Sequence, residues 1–417
     1  MITIFAEVTV MKDYNTLDDF NVENKTVLLR VDFNMPLDKT TLDILDTTRI
    51  ERALPTIKEL IEKNAKTVII AHQGRQGSWD FINLEKHAKT LENLLGKEVK
   101  FVDDIYGEKA KNAIKNLQNG EVLILDNVRK FDGETEKKSA EEHAQSELVQ
   151  NLYPLADLFV NDAFAAAHRP QCSLIGFTAV LPSCAGRLLE KELTTLSEII
   201  ENPEKPSIFL FGGAKFSDVI VTIERLLENK TADKIILTGL PANAFLKAEG
   251  VNLGTKTDEI LAKEETPGSY NEIKKLLAKY KDSIYLPLDF AQQENTSRSE
   301  IDVSELPTNY SLYDIGEKSI ENFKNILSDA KTVFLSGPCG VFENPTFMKG
   351  TREIFTFVAN SDVFSIVGGG HTVAAIEQLG LDDKISHIST GGGSLEKFMM
   401  GEKLPVVEAL KKAKNRK

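Results

Sequence analysis

Two kinds of residue in this chain could do chemistry, and they lie in different halves. In the first half, short runs rich in β-branched residues each end in polar or basic groups. "TVLLRVDFN" delivers Asp32 and Asn34, "TVIIAHQG" delivers His72 and then Arg75, and "EVLILDNVR" delivers Arg129. "LFVNDAF" delivers Asn161 and Asp162, with His168 and Arg169 close behind, and Arg49 opens a helical pattern nearby. A lone arginine at a strand end is an ordinary surface charge. Six basic side chains at successive strand ends are a different matter, because guanidinium forks bind phosphate and carboxylate bidentately and so suit a small, multiply anionic ligand.

In the second half the corresponding runs end in glycine: "FGGAK", "LTGLPAN", "SGPCG", "VGGGHT" and "STGGG". In "FSIVGGGHTVAAIEQLG", residues 364–380, three glycines pass straight into a helical pattern. Glycine lets a backbone approach an anion closely, and the helix start that follows offers unpaired N–H groups and partial positive charge. Any one such turn could be a plain strand-to-helix connection. The set reads as a cradle for nucleotide phosphates, with Lys215 as a mobile positive charge. It is built neither on a GxxxxGK[ST] loop nor on a GxGxxG fingerprint after the first strand.

The elements that must position these groups alternate between short β-rich runs and amphipathic helices nearly from end to end. That pattern predicts an α/β fold of two doubly wound parallel-sheet (Rossmann-like) domains joined by a hinge helix. The first sheet takes "TVLLRVDFN", "TVIIAHQG", "VKFVDD", "EVLILDNVR" and "LFVNDAF". The second takes "SIFLFGGAK", "KIILTG", "SIYLPLDFA", "TVFLSGP", "FSIVGGG" and "ISHISTGGG". In "TTRIERALPTIKELIEKN", Ile50, Ala53, Leu54, Ile57, Leu60 and Ile61 fall at helical spacing, with Thr47 or Thr48 to cap the start. "GRLLEKELTTLSEIIENPEKP" reads as a connecting helix stopped by two prolines. The expected boundaries are residues 1–185 for the first domain, 186–202 for the helix and 203–403 for the second domain. Ligands in such sheets bind beyond the carboxyl ends of the strands, where the groups named above emerge.

Composition narrows the function classes. A chain of 417 residues with 41% hydrophobic content suits two or three packed domains. No apolar run approaches the roughly 18 residues that cross a bilayer, and "MITIFAEVTV" lacks the basic start and cleavage site of a signal peptide. Those ten residues read as an extra strand or as a matter of start-codon choice, since Met11 opens a second candidate start. Three cysteines without a CxxC pair fit reduced thiols in the cytoplasm. The net charge of −13 repels nucleic acid and anionic membrane at long range, so neither is expected as a partner. One lobe for an anionic substrate and one for a nucleotide describe a two-lobed small-molecule kinase that closes to react.

The runs "LLRVDFNMPL", "DNVRKF", "FVNDAFAAAHRPQCSLIGF", "LEKEL", "FGGAKFSD", "YDIGEKS", "SGPCGVFE", "GGGHTVAAIEQLG" and "SHISTGGG" closely resemble the phosphoglycerate kinase family, in order and over almost the whole chain. "HQGR", "LPLDFA" and the histidine after the triple glycine resemble its archaeal branch. The resemblance implies reversible transfer between ATP and the carboxylate of 3-phosphoglycerate, giving ADP and 1,3-bisphosphoglycerate. It places Asp32, Phe33, Asn34, Arg49, His72, Gln73, Gly74, Arg75, Arg129 and Arg169 at the substrate. Gly213, Lys215, Gly337, Pro338, Glu343 (at the ribose hydroxyls), Gly369, Gly370, His371 and Thr372 are placed at the nucleotide. Arg49, Lys215 and the turn Gly391, Gly392, Gly393 then carry catalysis, with Mg²⁺ on the nucleotide phosphates and its protein ligands unassigned. Residues 404–417 are expected to return to the first domain, and a monomer is expected, with a homodimer as the alternative. The acceptor carboxylate is already ionised near neutral pH, so no general base is called for. Departures from the family pattern are Val219 in place of a second lysine, a "LTGLPAN" turn one residue short, Ser336 for asparagine and His371 for aspartate. The rival readings are a kinase of the same fold acting on another acid and a non-catalytic nucleotide-binding relative.

Overall fold

The computed structural model describes residues 13–294 and 297–416. The chain divides into two compact units, one running to Thr194 and resuming at Lys403, the other running from Thr195 to Glu402.

In the first unit six parallel strands lie in the order Val99–Val102, Val122–Leu125, Lys66–Ile70, Thr26–Arg30, Leu158–Asn161, Ser183–Ala185. Their side chains alternate between two covered faces, which is why the strands read as nearly unbroken apolar runs. Val27, Leu29 and Ile69 join the core on one face, and Leu28, Val68 and Phe159 join the core on the other. The register pairs Arg30 with both Ile70 and Asn161. Three loops therefore leave the sheet side by side. The strand Ser183–Ala185 is three residues long and carries no periodic signal of its own.

The helix Thr48–Glu62 buries Ile50, Ala53, Ile57 and Leu60, while Leu54 and Ile61 pack against the same core half-buried. Its start is held differently from the sequence expectation. Asp46 accepts the Thr48 N–H at 2.8 Å, whereas the Thr47 hydroxyl turns to Glu51 at 2.5 Å. A carboxylate two residues ahead closes this turn better than either threonine hydroxyl.

The second unit holds six parallel strands in the order His387–Ile388, Phe364–Gly368, Thr332–Ser336, Ser207–Phe211, Lys234–Leu237, Ile284–Tyr285. Ser336 pairs with both Gly368 and Phe211, so the glycine turns also emerge together. A three-stranded antiparallel sheet, Ser297–Asp302, Asp289–Glu294 and Leu312–Ile315, accompanies it. The run "SIYLPLDFA" is thus not one strand. It leaves the parallel sheet after Tyr285, and Pro287, which has no N–H to offer a ladder, lies in the break.

The helix Arg187–Glu201 spans the border between units, and the terminal helix Pro405–Lys414 belongs to the first. Its Val406 and Leu410 are buried, and the Val406 N–H donates to the Ala167 carbonyl at 3.2 Å.

Candidate active site

The loop after Thr26–Arg30 carries Asp32, Phe33 and Asn34. Phe33 is wholly buried in the core and anchors the loop. Asn34 donates its N–H to Asp32 Oδ1 at 3.0 Å and accepts the Gly74 N–H at 2.9 Å, tying this loop to the next strand's. Gln73 completes the tie from within the fold, exchanging hydrogen bonds with the Met35 backbone at 2.8 and 3.1 Å. Gln73 and Phe33 therefore shape the loops from behind.

Arg49, at the start of its helix, reaches Asp32 at 2.6 Å. Burial by itself would raise the Asp32 carboxyl, but the Arg49 guanidinium, His72 and the Asn34 N–H outweigh it and bring its pKa down to about 2. Arg30 is fully buried beneath the site. Its Nε donates to Ser173 Oγ at 2.7 Å, and that hydroxyl donates to the buried Glu134 at 2.7 Å. Its Nη2 lies 3.1 Å from His72 Nδ1. A guanidinium only donates, so Nδ1 accepts and the imidazole proton sits on Nε2. Burial, with Arg30 and Arg129 adding to it against the pull of Asp32, holds His72 neutral, well below the usual imidazole range.

Arg75, Arg129 and Arg169 line one cavity of about 440 Å³ together with Gln76 and Gln171. Arg129 donates to the Gly74 carbonyl, and its Nε is buried without a partner among the described residues. Burial first, then the neighbouring Arg169 and Arg30, lowers its pKa to about 10. Three cations gathered without equal counter-charge are an anion site in waiting.

Asn161 and Asp162 do something else. Asn161 bonds the Leu174 carbonyl at 3.0 Å, and Asp162 accepts the Leu189 N–H at 3.0 Å at the start of the border helix. Burial pushes the Asp162 carboxyl up to about 6. His168 stays beside Arg169, accepting from its Nε at 3.3 Å.

In the second unit the glycine turns divide into two jobs. Gly213 donates its N–H to the Pro338 carbonyl at 2.8 Å, and Gly337 donates its N–H to Thr372 Oγ1 at 2.7 Å. A Cβ on Gly337, whose φ is +91°, would run into the Gly212 carbonyl group. These glycines let neighbouring turns pack backbone to backbone. The helices Gly370–Leu379 and Gly392–Met399 instead begin without side-chain caps, behind Gly369 and Gly391. Gly391 itself is buried and bonds Ser389 Oγ at 3.2 Å, and Gly393 lies in the first turn.

Both helix starts face a cavity of about 350 Å³ whose lining includes Lys215, Val219, Ser336, Gly369, Gly370, His371, Thr372 and Gly392. Thr372 is buried, and with its oxygen taken by Gly337 its hydroxyl proton remains available to donate. A second cavity of about 270 Å³ shares Gly213, Pro338 and His371 with the first and adds Glu343 and the apolar side chains of Ile260, Phe290 and Leu312.

Several participants escaped sequence reasoning. Arg30 and Glu134 form the buried support of His72, and the signal for the former was an arginine inside an otherwise apolar strand. Asp218 and Glu396 line the cavity of Lys215. Burial and the nearby Asp218 push the Glu396 carboxyl up, against the pull of Lys215. Hard carboxylate oxygens suit Mg²⁺, which keeps much of its shell as water and phosphate, whereas the imidazole of His371 suits it poorly. Among the described residues no three His, Cys, Asp or Glu side chains gather into a metal site of their own.

The family model described as phosphoglycerate kinase matches residues 17–402. The phosphoglycerate kinase of Methanobacterium bryantii is 45% identical over 401 residues, covering 96% of this chain and 98% of that protein. That of Methanococcus maripaludis is 46% identical over 407 residues, covering 95% and 98%. The crystal structure of phosphoglycerate kinase from Pyrococcus horikoshii OT3 matches with a TM-score of 0.88 at 40% identity, covering 96% of this chain and 99% of that one.

Proposed function

The chain belongs to the phosphoglycerate kinase family and moves a phosphoryl group reversibly between ATP and the carboxylate of 3-phosphoglycerate, and on that premise we propose how its own residues divide the work. The observation that carries the proposal is that each unit has one kind of anion site: an arginine cavity in the first, and uncapped helix starts with Lys215 in the second. Arg75, Arg129, Arg169 and His72 take the phosphate end of the acid, while Asp32, Asn34 and Arg49 orient its carboxylate end. The neutral His72 offers its Nε2 proton as a donor. The glycine-lined cavities take the nucleotide, with Glu343 at the ribose and Gly369, Gly370, His371 and Thr372 at the phosphates.

The acceptor is already an anion, so the protein need not remove a proton. Its residues align two ligands and stabilise charge on the migrating group. Arg49, Lys215 and the helix start at Gly391, Gly392 and Gly393 are assigned that task. Asp218 and Glu396, which line this cavity, are the carboxylates that would hold Mg²⁺, and the ion would supply charge neutralisation there. The chain acts as a monomer in the cytoplasm, and sedimentation velocity would reveal a homodimer instead.

The test is a coupled assay of ADP formation with 3-phosphoglycerate against acetate, aspartate and glycerate at matched concentrations. A kcat/KM for 3-phosphoglycerate at least about 10³-fold above each alternative is expected, because the three arginines of the phosphate cavity act on that substrate alone among those offered. Comparable activity on glycerate would remove the arginine cavity from substrate recognition.

A further inference from the structure

Asn243 is a buried amide whose oxygen finds no hydrogen-bond partner among the described residues. It sits one turn into the helix Gly239–Ala248, on the same face as Gly239, and both line the cavity of about 270 Å³. Its side chain is 2% exposed, and Oδ1 has no hydrogen-bond partner among the described residues. A buried amide left unpaired is costly, so such a group in a cavity wall marks a place where a ligand completes the bonding. The same lining carries the apolar side chains of Ile260, Phe290, Leu312 and Val341, with Tyr313, Asp314, Glu343 and His371 as its other polar groups. A mostly apolar slot with an unpaired amide in its wall is complementary to a flat heteroaromatic ring that carries a donor next to an acceptor.

We propose that Asn243 hydrogen-bonds the edge of the nucleotide's purine and is the base-reading residue of this cavity, an inference that rests on assigning the cavity to the nucleotide. The carboxamide torsion χ2 is soft and two-fold, so the amide can turn either its oxygen or its nitrogen toward the ring. It can then pair with the adenine amine and an adjacent ring nitrogen, as asparagine does with adenine elsewhere. On the edge that carries N1, the amide turned over serves hypoxanthine equally, giving its N–H to O6 and accepting from N1–H. A purine without an exocyclic group leaves half of the amide unpaired.

The experiment measures kcat/KM for ATP, inosine triphosphate and purine riboside triphosphate with the native protein, Asn243→Leu and Val341→Trp, the last of which fills the cavity mouth. The native protein is expected to prefer ATP to purine riboside triphosphate by at least about tenfold. In Asn243→Leu that ratio falls to near one, with ATP and inosine triphosphate losing most. The ratio does not depend on how much of a variant is folded, and Asn243→Ala is expected to reproduce it. Equal losses for all three nucleotides in Asn243→Leu overturn base reading, since they mean a change of cavity shape alone. No change in Asn243→Leu, with Val341→Trp weakening all three, also overturns it but leaves the nucleotide in this cavity. If neither variant changes any nucleotide, the cavity is not the base site and both assignments fall.

Discussion

At the scale of single residues, the unit that carries the arginine cavity combines an exposed layer with a buried support. Arg49 is partly exposed and paired to Asp32, so its charge is oriented before any ligand arrives. Arg49→Ala is expected to lower kcat at least 10²-fold, about 2.7 kcal/mol, with a smaller change in KM, because the charge it meets develops during transfer. Steady-state kinetics check this, and near-native kcat would remove Arg49 from catalysis. Arg30 belongs to the support. It is the cation facing the buried Glu134, whose carboxyl burial raises and Arg30 draws back down. Arg30→Met removes the stronger of the two guanidinium groups that stabilise that buried carboxylate and leaves Arg129 alone to do so, and a loss of about 3 kcal/mol is expected in denaturant unfolding. The double variant Arg30→Met, Glu134→Gln should recover much of the loss. No recovery would mean that the cost lies in packing and not in the stranded charge.

At the scale of elements, strand ends serve two masters. The loops after Thr26–Arg30 and Lys66–Ile70 deliver site residues, whereas Asp162, after Leu158–Asn161, caps the border helix Arg187–Glu201 through Leu189. Its folded pKa of about 6 lies above the ordinary 3.8. The sign of the linkage follows. The folded protein holds this proton over a range where the unfolded chain has released it, so the group's contribution is full below about pH 4 and declines as pH rises through 6. Asp162→Asn keeps an oxygen for the Leu189 N–H and removes the buried charge. Its gain in unfolding free energy over the native protein should be greater at pH 7.5 than at pH 4.5, by about 2 kcal/mol at most. A gain independent of pH would show that Asp162 titrates as an ordinary carboxyl.

At the scale of the whole molecule, the arginine cavity and the glycine-lined cavity belong to different units of one chain, and on the proposed division of work the two substrates do as well. Transfer requires the reacting oxygens within about 3.5 Å, so solution scattering is expected to report a smaller radius of gyration with both ligands bound and little change with either alone. An unchanged profile with both bound would count against closure. Much of this was legible in the sequence. Near-unbroken apolar runs separated by helical periodicity determined two parallel α/β sheets, because strand and helix periods are local properties of the chain. The residue types at strand ends determined which half gathers arginines around a cavity and which lines its cavities with glycine turns. What remained for the tertiary structure was how these groups are used. Strand-end residues that read alike, such as Asn34 and Asn161, part company between site and scaffold. Gly337 packs against Gly212 while Gly369 opens a helix toward a cavity. Arg30, Glu134, Asp218, Glu396 and Asn243 gain their meaning only from neighbours distant in sequence. Burial, a proton's position on His72 and an unpaired amide are all relations between segments, and local sequence patterns carry no record of them until the chain has packed.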